Sequence, residues 1–209
     1  IEASLAAVWD LGLKPGHAVR DLDATRDLWR QDITVYTNLL DARFIAGDPE
    51  QAEALLDGLP DAGFWTPSQF LAAKRAEQQA RHKRYGGTAY NLEPNIKESP
   101  GGLRDLQLVD WLTQIMAGRL QPVAADGLID AGGQAALESA QADMYRIRFA
   151  LHLLAKRPEE RLVFDHQRTL ASELGYDDGE GNLAVEQFMQ TYFRAASRIA
   201  AINDDVLSR

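Results

Sequence analysis

Hydrophobic positions recur at helical spacing over most of the chain, with capping residues where each periodic run starts or stops. Residues 1–13 place Leu5, Val8 and Trp9 on one face and stop at Gly12. Residues 14–20, KPGHAVR, are short and alternating, which predicts a strand with His17 and Val19 on one side and Ala18 and Arg20 on the other. A helix is expected over DATRDLW, and then Asp32 as the N-cap of a helix running through ITVYTNLLDARFIAG to Gly47. Pro49 suits the first turn of another helix, to about Leu59. The clearest start signal is Thr66 as N-cap, Pro67 at the first helical position and Gln69 closing a capping box. That helix should cover 67–85 and end at the Gly86-Gly87 pair. Residues 88–100 carry two prolines and no periodicity, so they read as a loop. Further helices are expected over 101–116, 134–156 and 183–208, with loops around Pro158 and DDGEG. The pattern predicts a mainly α fold: a bundle of seven to nine helices with at most two short strands, one of them at 14–20.

Composition narrows the function classes. The 209 residues suffice for one large helical domain or two small ones, and 45% hydrophobic with 25% charged residues is the balance of a soluble globular protein. Cysteine is absent, which excludes disulfide scaffolds, zinc ribbons and thiol nucleophiles. No apolar run reaches membrane-spanning length and no signal peptide opens the sequence, so no membrane partner is expected. The chain starts at Ile1 inside an amphipathic run, which reads as a piece of something longer. With 22 basic and 31 acidic residues the formal charge is -9, which argues against a nucleic-acid binder. Phosphate chemistry would need a local basic patch.

Three places offer one. Between Lys74 and Arg84 stand five Lys or Arg residues and one Glu; Lys74 and Arg81 share a helix face with Gln78 between them, and Arg84 follows one turn on. Such a face can hold a polyphosphate, or it can be a solvated face that offsets acidic neighbours. The second place is NLEPNIKESPGGLRDLQ at 91–107, an irregular stretch dense in Glu93, Asn95, Lys97, Ser99, Arg104 and Asp105. Ser99, Gly101 and Gly102 would put backbone N–H groups at the start of the next helix, where the dipole favours an anion. Equally, those polar side chains can satisfy their own loop. The third is His17 beside Arg20 on the predicted strand, either lining a cleft or serving structure. Other constellations fail. Asp165-His166 has the wrong order for a metal phosphohydrolase, four scattered histidines give no metal site, and neither a Walker loop nor a GxSxG elbow occurs.

The strings GHAVR, DITVYTNLLDARFIAGD, RHKRYGGTAYNLEPNIKESPGGLRDLQ and RIRFALHLL resemble the bifunctional PII uridylyltransferase/uridylyl-removing enzymes of bacteria, from about Trp9 to nearly the end of the chain. The resemblance implies a cytoplasmic, Mg²⁺-dependent nucleotidyltransferase of polymerase-β type that moves UMP from UTP to a tyrosine of the PII signal protein, with glutamine as effector. The superfamily's Gly-Ser and Asp-x-Asp motifs are absent from this sequence, so no catalytic or metal-holding carboxylate is assigned in it; KPGHAVR contains none, leaving only flanking Asp10 or Asp21. The resemblance therefore makes residues 1–31 the C-terminal edge of the transferase core, carrying a short β remnant, and 32–209 the helical region packed behind it. Nucleotide contacts are expected from Lys74, Arg81, Arg84, Lys97, Arg104, Ser99, Gly101 and Gly102, with His17, Arg20, Glu93, Asn95 and Asp105 as further cleft-lining residues. The alternative is a non-catalytic module that binds PII or the adjacent hydrolase domain. The isolated chain is expected to transfer no UMP.

Overall fold

The computed structural model describes residues 2–13, 15–61, 65–116 and 128–208. The described residues form nine helices: α1 Glu2–Asp10, α2 Leu22–Gln31, α3 Ile33–Leu40, α4 Pro49–Asp61, α5 Pro67–Arg84, α6 Leu103–Met116, α7 Ala131–Ala155, α8 Phe164–Glu173 and α9 Ala184–Ser208. The long helix α9 is the axis of the packing, with α6, α7 and α8 against it, and α5 lies on α6. Its buried face, Phe188, Tyr192, Ala195, Ala196, Ile199 and Val206, repeats every three or four residues and meets Leu106, Met144, Leu151 and Leu170 in one apolar core. Helix α1 buries none of its residues.

Several starts are made as the sequence dictates. Asp32 accepts the Thr34 N–H at 2.7 Å and opens α3. Thr66 and Gln69 form the reciprocal capping box of α5, with Pro67 in the first turn. Helix α5 ends at Tyr85, followed by Gly86 and Gly87 at φ of 96° and 65°. Two expectations need correction. Helix α3 stops at Leu40 and does not continue to Gly47. The strand expected over 14–20 is not there: residues 15–20 have no secondary structure, and Lys14 lies outside the described residues. Among the described residues two isolated bridges pair Asn95 with Arg161 and Gly179 with Asn182, and no run of residues forms a strand. Alternation alone makes no strand, because its N–H and C=O groups need a neighbouring strand to bond. The expected β remnant of a polymerase-β-type fold is therefore not shown. Helix α8 was not anticipated either; its N-cap, Val163, contributes no side-chain bond, so the sequence carries no start signal.

Candidate functional site

The loop 88–102 is held between α5, α6, α9 and the segment before α8. On one side Ile96 N–H donates to Glu160 O at 2.8 Å and Leu162 N–H to Pro94 O at 2.9 Å, a two-bond ladder that lays Arg161 beside Asn95. Glu160 is fixed in turn by Arg148, whose Nε donates to Glu160 Oε2 at 2.9 Å. On the other side the turn at Gly101 touches α9 so closely that a Cβ there would sit 2.1 Å from Ala196 O. Gly101 has φ of 75°, so both space and backbone require glycine.

Beneath this turn lies the carboxylate of Asp105, 1% exposed. It accepts hydrogen bonds from Gly101 N–H at 2.7 Å, Gln78 Nε2 at 2.9 Å and Arg81 Nη2, and His82 Nε2 lies 2.9 Å from its Oδ2. Gln78 also donates to Asn203 Oδ1 at 2.5 Å, and Asn203 Nδ2 donates to Asp105 O at 3.0 Å. One buried anion thus ties α5, α6 and α9 together. Burial alone would raise its pKa. The hydrogen bonds of His82 and Gln78 and the charges of His82 and Arg81 outweigh that and hold the carboxyl below its ordinary value.

A second carboxylate, Glu98, collects cations more loosely. Arg81 Nε is 4.0 Å from Glu98 Oε2, and Lys97 Nζ and Arg104 Nε are each 3.8 Å from Oε1. These separations are ion pairs without hydrogen-bond contact. Lys97 and Arg104 keep about a third of their side-chain surface in solvent.

The expected site residues therefore separate. Arg81, Lys97, Arg104 and Asp105 are brought together around the 98–105 turn. Lys74 is not with them: it is buried, bonded to Glu77 at 2.8 Å and placed 4.8 Å from the centre of the Trp111 ring. The N–H groups at the start of α6 are already used, Gly101 by Asp105, Gly102 by Ser99 O at 2.8 Å, Leu103 by Ile96 O and Arg104 by Lys97 O. The anion that meets this helix start is Asp105 itself. Ser99 Oγ accepts the Asn95 N–H at 3.0 Å. Glu93 accepts Phe164 N–H and pairs with Arg161 at 3.1 Å. His17 and Arg20 are exposed, and His17 meets Trp9 edge-on at 5.6 Å. Arg84 and Asn95 line a cleft of about 420 Å³ together with Tyr85, Gly86, Asn91, Glu93, Ser99 and Arg161. Among the described residues no group of three or more His, Asp or Glu side chains could hold a metal ion.

Sequence reasoning did not single out His82, Glu98, Asn203, Asn91 or Arg161. A signal for His82 existed, since Gln78, Arg81 and His82 lie three to four positions apart on one face of α5. Nothing local marked Asn203 or Arg161, which join the site across 98 and 68 positions of sequence.

Residues 69–207, from the first turn of α5 through α9, match the model of the family described as GlnD PII-uridylyltransferase. The chain belongs to that family. Relatives align along nearly all of it: it is 45% identical over 98% of its length to the bifunctional uridylyltransferase/uridylyl-removing enzyme of Stutzerimonas stutzeri strain A1501. Against the enzyme of the same description from Pseudomonas fluorescens strain SBW25 it is 42% identical over 99% of its length. The chain spans 23% of the length of each of these relatives. No solved structure matches it. The matched region contains the Asp105 network, the Glu98 cluster and the cleft; α1–α4 fall outside it. No described helix is long and apolar enough to cross a membrane.

Proposed function

We propose that this chain is the helical region of a uridylyltransferase that moves UMP from UTP to a tyrosine of the PII protein, and that its own part is to neutralise phosphate charge. The observation that carries this reading is the Glu98 cluster, where Lys97 and Arg104 keep about a third of their side-chain surface in solvent, 3.8 Å from one shared carboxylate. Three cations there face the carboxylates of Glu98 and Asp105, leaving a positive surplus in a chain of charge -9. As pyrophosphate departs, negative charge grows on the bridging and terminal oxygens, and cations fixed in advance stabilise it without reorganising. Arg81, anchored by Asp105, is a positioning residue that keeps the 98–105 turn in place. The Mg²⁺ of the reaction is assigned to carboxylates outside these residues. Glutamine is given no site in this chain. By itself the chain transfers no UMP, because cations alone do not position an attacking tyrosine oxygen.

A second reading, a module that grips PII or the adjacent hydrolase domain, is favoured by one surface. Tyr145, Phe149 and Leu153 stand four apart on α7, with Phe149 67% exposed, and form an apolar stripe. Calorimetric titration separates the two. Binding of UTP that weakens in Lys97→Ala and Arg104→Ala supports the first; binding of PII with no response to UTP supports the second and overturns the first.

A further inference from the structure

The cleft beside the Glu98 cluster has an unusual imbalance of donors and acceptors. Asn91 Oδ1 accepts the Glu93 N–H at 3.1 Å, and Asn95 Oδ1 accepts the N–H groups of Lys97 and Glu98 at 3.1 and 2.8 Å. These bonds fix both amides with oxygen toward the backbone, so each Nδ2 is the free end. Among the described residues, neither Nδ2 has an acceptor, and the exposed Arg84 guanidinium has neither an ion pair nor a hydrogen bond. Ser99 Oγ already accepts from Asn95 N–H, which leaves its own proton to donate. Arg161 spends one nitrogen on Glu93 and keeps its others. The single carboxylate in the lining, Glu93, already accepts one hydrogen bond on each oxygen, Oε1 from Phe164 N–H and Oε2 from Arg161.

We infer that this cleft binds the phosphate group of a small phosphate ester, with Arg84 as its charged anchor and the Asn91, Asn95 and Ser99 donors completing the shell. A wall of donors whose one acid is already paired lacks only an anion, and a tetrahedral phosphate offers enough lone pairs to use several donors at once. The cleft's volume suits a ligand of nucleotide size. This site is distinct from the cations around Glu98, and it stands or falls without the transferase reading.

The test is NMR titration of the 209-residue chain with inorganic phosphate, UMP and UTP, and with uridine as the uncharged control, following the side-chain amide signals of Asn91 and Asn95. Each phosphate-bearing probe should shift those signals, uridine should not, and Arg84→Ala should weaken binding at least tenfold. Arg84 is exposed, so its removal should leave the fold intact. Arg75, exposed on the same helix and outside the lining, supplies the control Arg75→Ala, which should bind like the parent. Unmoved amide signals at millimolar phosphate, equal binding of uridine and UMP, or equal weakening by Arg84→Ala and Arg75→Ala would each overturn the site. Such a failure would leave the Glu98 cluster untouched, since that reading rests on Lys97 and Arg104.

Discussion

Removing the carboxylate of Asp105 should cost this chain a large share of its stability. Asp105→Ala leaves four partners in a place that water barely reaches: the Gly101 N–H, Gln78 Nε2, His82 Nε2 and the Arg81 guanidinium, itself only 12% exposed. Breaking a buried ion pair by deleting one partner costs about 3–5 kcal/mol, chiefly because the other charge stays buried and unpaired. For a domain of this size that corresponds to a melting temperature lower by roughly 6–20 °C. Urea unfolding followed by circular dichroism, extrapolated linearly to water, would measure it. The double variant Asp105→Ala with Arg81→Met removes the stranded cation and should recover part of the loss, so that the two changes are non-additive. A loss under 1 kcal/mol for Asp105→Ala, or strict additivity in the pair, would refute the assignment of Asp105 as the buried anchor of α5, α6 and α9.

Two further outcomes follow from the same turn. Gly101→Ala should cost at least about 2 kcal/mol, because it adds a backbone clash with Ala196 O to the strain of a positive φ, whereas Gly87→Ala, at φ of 65° in open space, should cost about 1 kcal/mol; comparison of the two urea midpoints checks it. The Asp105 carboxyl is held below its ordinary value, so its contribution to stability is present above pH about 4 and is lost as pH falls through the folded-state value. In Asp105→Asn that part of the acid slope should vanish from a stability–pH profile, and an unchanged slope would contradict it.

What the sequence made legible was local. Thr66, Pro67 and Gln69 announce α5 within four residues because a capping box closes over one turn, and Asp32 announces α3 in the same way. The loop at 88–100 was legible from its prolines. The partners of its charges were not, since pairing depends on which helices the core brings together: Gln78 meets Asp105 across 27 positions and Asn203 across 125. The concentration of cations on α5 was visible, but that Lys74 turns to Glu77 and Trp111 while Arg81 turns to Asp105 is decided by packing. The strand at 14–20 was misread because alternation describes one strand and says nothing of a partner to pair with. Helix α8 was missed for want of a capping side chain at Val163.

Arg81→Ala would be a poor test of nucleotide contact, because the change disturbs the buried network as well as the charge. Lys97 and Arg104 are the informative pair. In a full-length family member carrying this sequence, steady-state kinetics of Lys97→Ala and Arg104→Ala would test the central proposal most directly. A charge-assisted phosphate contact contributes about 1.5–3 kcal/mol, so each variant should lose on the order of tenfold to a hundredfold in kcat/KM for UTP. Melting temperature and the uridylyl-removing reaction should stay near those of the parent. Unaltered UTP kinetics in both variants, or an equal loss in both reactions, would contradict the claim that this helical region meets the triphosphate.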